Sequence, residues 1–172
     1  MEIINISTPN KPLPWKGSMG RRKLSDIKYV VFHHDASLAP EKYDAVDLYT
    51  HEANYHIKKG WGHLGYSFRI ARDGTIYQTV PLEEIGVHAG NYLYFKNSFG
   101  VCLDGSFDRQ APSQAQLKAV KDLMIHFAHQ RPDLPGVVEK SMYTHQEVRL
   151  LPTYCSGPVI KDLVKTYRLT GK

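Results

Sequence analysis

Residues 27–34 read Ile27-Lys28-Tyr29-Val30-Val31-Phe32-His33-His34. β-Branched and aromatic residues dominate this run without alternating with polar ones, which predicts a strand covered on both faces. Such a strand belongs inside a sheet that carries helices. Its carboxyl end delivers two histidines, and in open α/β sheets ligands gather outside the carboxyl ends of strands.

Outward from this strand, Asp44 to Lys59 places Val46, Tyr49, Ala53 and Ile57 at steps of three and four, one face of a helix ending at Gly60. Gly65–Ile70 and Thr75–Val80 flank Arg72-Asp73-Gly74, a hairpin signal. Tyr66 and Phe68 would share one face of that first hairpin strand, with Ser67 on the other. Residues 81–97 read as a long loop holding Gly86, His88, Gly90 and Asn97, of a length associated with function. Ser98–Leu103 is a second buried strand. Ser113 and Gln116 stand at capping-box spacing ahead of a helix whose stripe is Leu117, Val120, Leu123, Met124 and Phe127. A short strand then ends at Thr144-His145, and Gly157-Pro158 opens a last helix to about Arg168. The order β, α, ββ, β, α, β, α predicts an α/β fold, a mixed central β-sheet flanked by helices in a single domain. Residues 1–26, with Pro9, Pro12 and Pro14, read as an irregular N-terminal arm, and residues 27–172 as the domain proper.

With 172 residues, 42% hydrophobic and 23% charged, the chain suits one compact domain with a sizeable core. No apolar run reaches membrane-spanning length, and Met1-Glu2-Ile3-Ile4-Asn5 lacks the basic start of a signal peptide; neither membrane insertion nor an export signal is expected. Lys plus Arg exceed Asp plus Glu by 22 − 17 = 5, which favours anionic surroundings, although the excess is scattered. Without an arginine-rich helix or zinc-finger spacing, nucleic acid is not the expected partner. Both cysteines are expected to be reduced, with Cys102 in the core.

His33, His145 and Cys155 fall at the ends of predicted elements. Singly, each residue is ordinarily structural. Together they form a soft donor set that suits zinc, and three protein ligands leave a fourth position for a water. Hydrolysis follows as the expected chemistry.

Val31-Phe32-His33-His34-Asp35-Ala36-Ser37, Gly65-Tyr66-Ser67-Phe68, Arg72-Asp73-Gly74-Thr75, His88-Ala89, Asn97-Ser98-Phe99-Gly100-Val101-Cys102-Leu103 and His145-Gln146-Glu147-Val148 resemble, in order, the zinc N-acetylmuramoyl-L-alanine amidases. This type-2 amidase superfamily is shared by bacteriophage endolysins and animal peptidoglycan recognition proteins. The resemblance covers about residues 27–168. It implies a mixed sheet of six or so strands and one Zn2+ per chain. The implied reaction is cleavage, by a zinc-activated water, of the amide between N-acetylmuramic acid and the L-alanine of the stem peptide. By motif, His33, His145 and Cys155 correspond to the zinc ligands, His34 to a non-ligand, and Tyr66 to the tyrosine that orients the water and stabilises developing charge. Thr153 falls where many phage members have lysine and recognition proteins often have threonine. Two departures stand out: Leu150-Leu151-Pro152 lengthens the gap between His145 and Cys155, and Cys102 replaces a catalytic glutamate found in some relatives, which shifts that duty to Tyr66.

The resemblance further implies bacterial peptidoglycan as partner and a monomeric phage or prophage endolysin, made in the host cytoplasm and acting on the wall after release. The alternative is a non-catalytic peptidoglycan-binding recognition module, against which the complete ligand set argues. Amide hydrolysis needs a nucleophile, oxyanion stabilisation and protonation of the leaving amine. Tyr66 suits hydrogen bonding better than proton abstraction at neutral pH, given an ordinary pKa near 10. His88 is expected to contact a substrate carbonyl and shuttle a proton, or only to fix its loop. Asn97 contacts the stem peptide or terminates the loop. Tyr92, with Trp61, Tyr94 and Phe95, lines a glycan groove or plugs the packing. His51, His56 and His63 are not expected to bind metal.

Overall fold

The computed structural model describes residues 1–7, 13–40 and 42–172; Pro9 and Pro12 of the expected arm lie outside the described residues. Strand β2 (Tyr29–His34) lies parallel to β5 (Ser98–Leu103), in register from Tyr29 opposite Ser98 to His34 opposite Leu103. Around this pair are β1 (Ile3–Asn5), β3 (Phe68–Ile70), β4 (Ile76–Gln78) and β6 (Met142–Thr144). The result is a six-stranded mixed sheet in the order β1-β4-β3-β5-β2-β6, in which β3 and β4 pair as an antiparallel hairpin and the other neighbouring strands are parallel.

Strand alternation sorts the side chains. Val30, Phe32, Phe68, Ile70, Phe99, Val101 and Leu103 enter the main core beneath α3 (Gln114–His129) and α5 (Pro158–Thr170), meeting Val120, Leu123, Phe127, Ile160 and Val164. Phe99 and Phe127 pack edge to face, with ring centroids 4.8 Å apart. Fully burying such a side chain is worth roughly 1.5–3 kcal/mol. The opposite face holds Val31 against Ala89 and Val148, and α1 (Ala45–Lys58) covers its far part through Tyr49 and Ala53. On this second face the register sets His33 beside Cys102 and Cys102 beside Arg69.

Local chemistry explains the helix ends. The Asp44 carboxylate accepts hydrogen bonds from the Val46 and Asp47 amides, and Ser113 and Gln116 form their reciprocal box. Four elements depart from the pattern expected of the sequence. Within the expected irregular arm, Ile3–Asn5 forms an edge strand on β4; three residues are too few to show a period. The expected 81–97 loop ends in a short helix, α2 (Tyr92–Asn97), capped by Asn91. Tyr66 lies ahead of β3 rather than on it, and His145 opens a single turn, α4 (His145–Val148). Among the described residues, no helix is long and apolar enough to cross a membrane.

Candidate metal centre

His33 is fixed by the buried end of β2, His145 by the turn that follows the adjacent β6, and Cys155 by the segment entering α5. One donor atom from each lies within 4.8 Å of the others. The His33 and His145 rings are 4.5 Å apart, and Cys155 Sγ is 3.8 Å from His33 Nδ1. The longer 145–155 segment does return its sulfur. The His34 amide donates to Sγ at 3.3 Å, and Thr153 Oγ1 accepts the Cys155 amide at 3.2 Å. Gly157 closes this turn at φ 84, where an added Cβ would fall 2.6 Å from the Phe107 Cβ. The second histidine of the pair turns to the other side, where His34 Nδ1 accepts the Phe107 amide at 2.9 Å.

Hydrogen bonding sets the tautomer of His33. Ser98 Oγ donates its only proton to the Tyr94 carbonyl at 2.5 Å, so it accepts from His88 Nε2 at 3.3 Å. His88 Nδ1 then accepts from His33 Nε2 at 3.0 Å, which leaves a lone pair on His33 Nδ1, the nitrogen that faces Cys155. Burial, then the neighbouring imidazoles, holds His33 well below the usual imidazole range. Burial and the Arg149 charge bring His145 down to about 4. Burial raises the Cys155 thiol to about 12, against the opposing hydrogen bond from the His34 backbone. His145 Nε2 is buried without a hydrogen-bond partner among the described residues. Two neutral imidazoles and a thiol, converging at this spacing with an orphaned nitrogen, fit zinc; binding would expel the thiol proton.

Tyr66 packs its ring against His33 with centroids 5.1 Å apart, and burial holds its hydroxyl well above the ordinary phenol range. It is therefore a hydrogen-bond donor at neutral pH. Gly100 creates the room for this arrangement, since a Cβ there would lie 3.0 Å from both the Tyr66 and His88 rings. Thr153 uses a lone pair to shape the Cys155 turn, and its hydroxyl proton remains available.

Two residues expected to contact substrate or to hold the loop have distinct settings. His88 is buried beside His33 and hydrogen-bonded on both nitrogens, to His33 Nε2 and to Ser98 Oγ. Asn97 ends α2 just before β5, five residues ahead of Cys102; at about 3.3 Å per residue, that is roughly 16 Å from the His33 level. A segment that leads into a strand leaves its last residue at the amino end of that strand. Tyr92 stays exposed at the start of α2, whose capping Asn91 donates to the Val148 carbonyl beside the His145 turn.

The sequence reading missed Arg69. Its fully buried guanidinium bonds Asp104 at 2.5 Å, Asp35 at 2.6 Å and Glu52, while Tyr43 and Tyr49 donate to the other Asp104 oxygen. The available signal was a charge between two apolar strand residues, Phe68-Arg69-Ile70, together with the aspartates that follow β2 and β5. Asp35 is thereby pinned two residues beyond His33.

Against this geometry, the family model described as N-acetylmuramoyl-L-alanine amidase matches residues 23–158. The chain belongs to this family. It is 27% identical over 170 residues to peptidoglycan-recognition protein SC2 of Drosophila simulans, covering 96% of this chain and 88% of that protein. It is 26% identical over 158 residues to the pig N-acetylmuramoyl-L-alanine amidase, covering 90% of this chain but 25% of the relative; it thus spans about a quarter of that longer protein. The endolysin of Escherichia phage T7 is 34% identical over 76 residues, 41% of this chain and 49% of that one. Among solved structures, wild-type Drosophila PGRP-LB superposes with a TM-score of 0.73 at 26% identity, covering 96% and 94% of the two chains. The amidase LysC from Clostridium intestinale shares the fold, with a TM-score of 0.72 at 20% identity and coverage of 96% and 97%.

Proposed function

We propose that this amidase-family chain is a zinc-dependent peptidoglycan hydrolase that cleaves the amide between N-acetylmuramic acid and the L-alanine of the stem peptide. The observation that carries the reading is the convergence of one donor atom each from His33, His145 and Cys155 within 4.8 Å, where His145 also holds a buried nitrogen without a partner among the described residues. Zinc bound there would supply Lewis acidity and lower the pKa of a water. Tyr66, its hydroxyl kept protonated by burial, donates to the oxygen on which charge develops. The His88–Ser98 chain keeps the His33 lone pair directed at the centre. Thr153 offers a further donor on the Cys155 side, and Tyr92, 62% exposed, is available to a sugar ring. The likeness to a phage endolysin supports action on the bacterial wall after release, and the chain is proposed to act as a monomer. The recognition-protein relatives favour the second reading, a peptidoglycan-binding module without catalysis.

Metal analysis with wall-lysis assays separates the two. One zinc per chain is expected, with lysis abolished by chelation and restored by zinc. Cys155→Ser should lose zinc and lysis, and Cys102→Ser should keep both. Stoichiometric zinc with no lysis would favour the recognition module; full lysis by metal-free protein would end the zinc mechanism.

A further inference from the structure

At the opposite end of β2 and β5 from the metal centre lies a polar cavity of about 350 Å3 whose walls include Arg21, Arg22, Lys28 and Lys96, with Asp26 and Asn97. Lys28 immediately precedes β2 and Asn97 immediately precedes β5, which fixes this cavity at the amino ends of the strands. We infer that it is a binding site for a phosphate group carried on an ester or polymer, distinct from the hydrolytic centre.

Four cationic side chains against one carboxylate line the cavity, a concentration of charge far above the scattered +5 of the whole chain. Other charges are partly committed: Glu84 pairs with Arg21 at 3.4 Å, Glu83, Asp26 and Glu84 lie in the field of Arg22, and an Asp26 oxygen accepts the Lys23 amide. Lys28 and Lys96 have no ion-pair partner among the described residues. The second observation is independent of the charge count. Arg22 is 8% exposed and donates through Nε to the Leu82 carbonyl and through Nη1 to the Phe95, Lys96 and Ser98 carbonyls, so its guanidinium is held rigidly. Its Nη2 is itself buried, without a partner among the described residues. The guanidinium is thus a fixed positive charge in the cavity wall behind two flexible ammonium groups, a combination that suits a tetrahedral oxyanion. A single carboxylate would leave more of this donor set unmatched. The site lies roughly 16 Å of strand from His33, so occupation would tether the protein to a phosphate-bearing surface without entering the reaction.

The test titrates the full-length, zinc-loaded chain with inorganic phosphate, with a short poly(glycerol phosphate) and with vesicles containing phosphatidylglycerol, reading backbone amide shifts and bound fraction. Saturable shifts are expected at Arg22, Lys28, Lys96 and Asn97 with phosphate, and the polymer and vesicle arms identify the natural carrier. The Lys28→Gln, Lys96→Gln double variant, which alters exposed side chains only, should bind roughly tenfold more weakly while wall-fragment hydrolysis is unchanged. Arg22→Lys, which keeps charge but loses the fork, should weaken binding with its thermal midpoint recorded alongside. Absence of localised shifts at saturating phosphate, shifts spread evenly over all basic residues, or a double variant that binds like the parent would overturn the proposal. None of these outcomes depends on whether the metal centre hydrolyses peptidoglycan.

Discussion

At the scale of single residues, two rings beside His33 separate positioning from chemistry. His88, bonded to His33 Nε2 and Ser98 Oγ, fixes which His33 nitrogen carries the proton. Replacing such an outer partner typically costs 10- to 100-fold in metal affinity. His88→Phe should therefore bind zinc about that much more weakly in a competition titration, and excess zinc should restore much of the turnover. Unchanged affinity would mean that the relay does not set the tautomer. Tyr66→Phe should behave oppositely, keeping zinc while turnover falls by about 10²–10³-fold, the usual effect of losing one preorganised donor. Parental turnover with chemistry rate-limiting would move the role to Thr153. His33, His145 and Cys155 were legible because each ends a predicted element, and position there is set by local pattern. For His88 and Asn97 the sequence left two readings each, because the choice depends on which end of β5 the preceding segment reaches.

At the scale of elements, the strand pair β2–β5 holds the centre only because Gly100 leaves space for two rings. Gly100→Ala is expected to destabilise the fold by about 1–3 kcal/mol through overpacking and to weaken zinc binding as well. Denaturant titration and metal competition on the same variant would check both; a neutral effect on each would show that the rings move aside freely. Arg69 joins β3 to α1 and to the segments after β2 and β5 through three carboxylates. Removing it strands those charges, so Arg69→Met should cost about 3–5 kcal/mol in unfolding experiments. Helices with caps and stripes, and both long buried strands, could be read from sequence. The edge strand β1 and the helix α2 could not, since each is stabilised by neighbours rather than by a period of its own.

For the molecule as a whole, acid should be more damaging than the carboxylates alone would make it. His56 is buried, accepts the Gly65 amide on Nδ1 at 3.1 Å, and is held down to about 4 by burial and the Arg69 charge. The unfolded chain takes up this proton near the ordinary value of 6.5, before the folded one does, so the contribution is complete above about 6.5 and lost as pH falls towards 4. Thermal midpoints of the metal-free protein should drop across that window, and more gently in His56→Gln. A flat profile there would contradict the neutral, accepting imidazole. The proposed reaction breaks one bond in the wall. Mass spectrometry of the products released from purified peptidoglycan by the zinc-loaded chain tests this most directly. Free stem peptides beginning with L-alanine, alongside glycan with unsubstituted lactyl groups, are the expected result; intact sacculi, or fragments cut at a glycosidic or internal peptide bond, would contradict it.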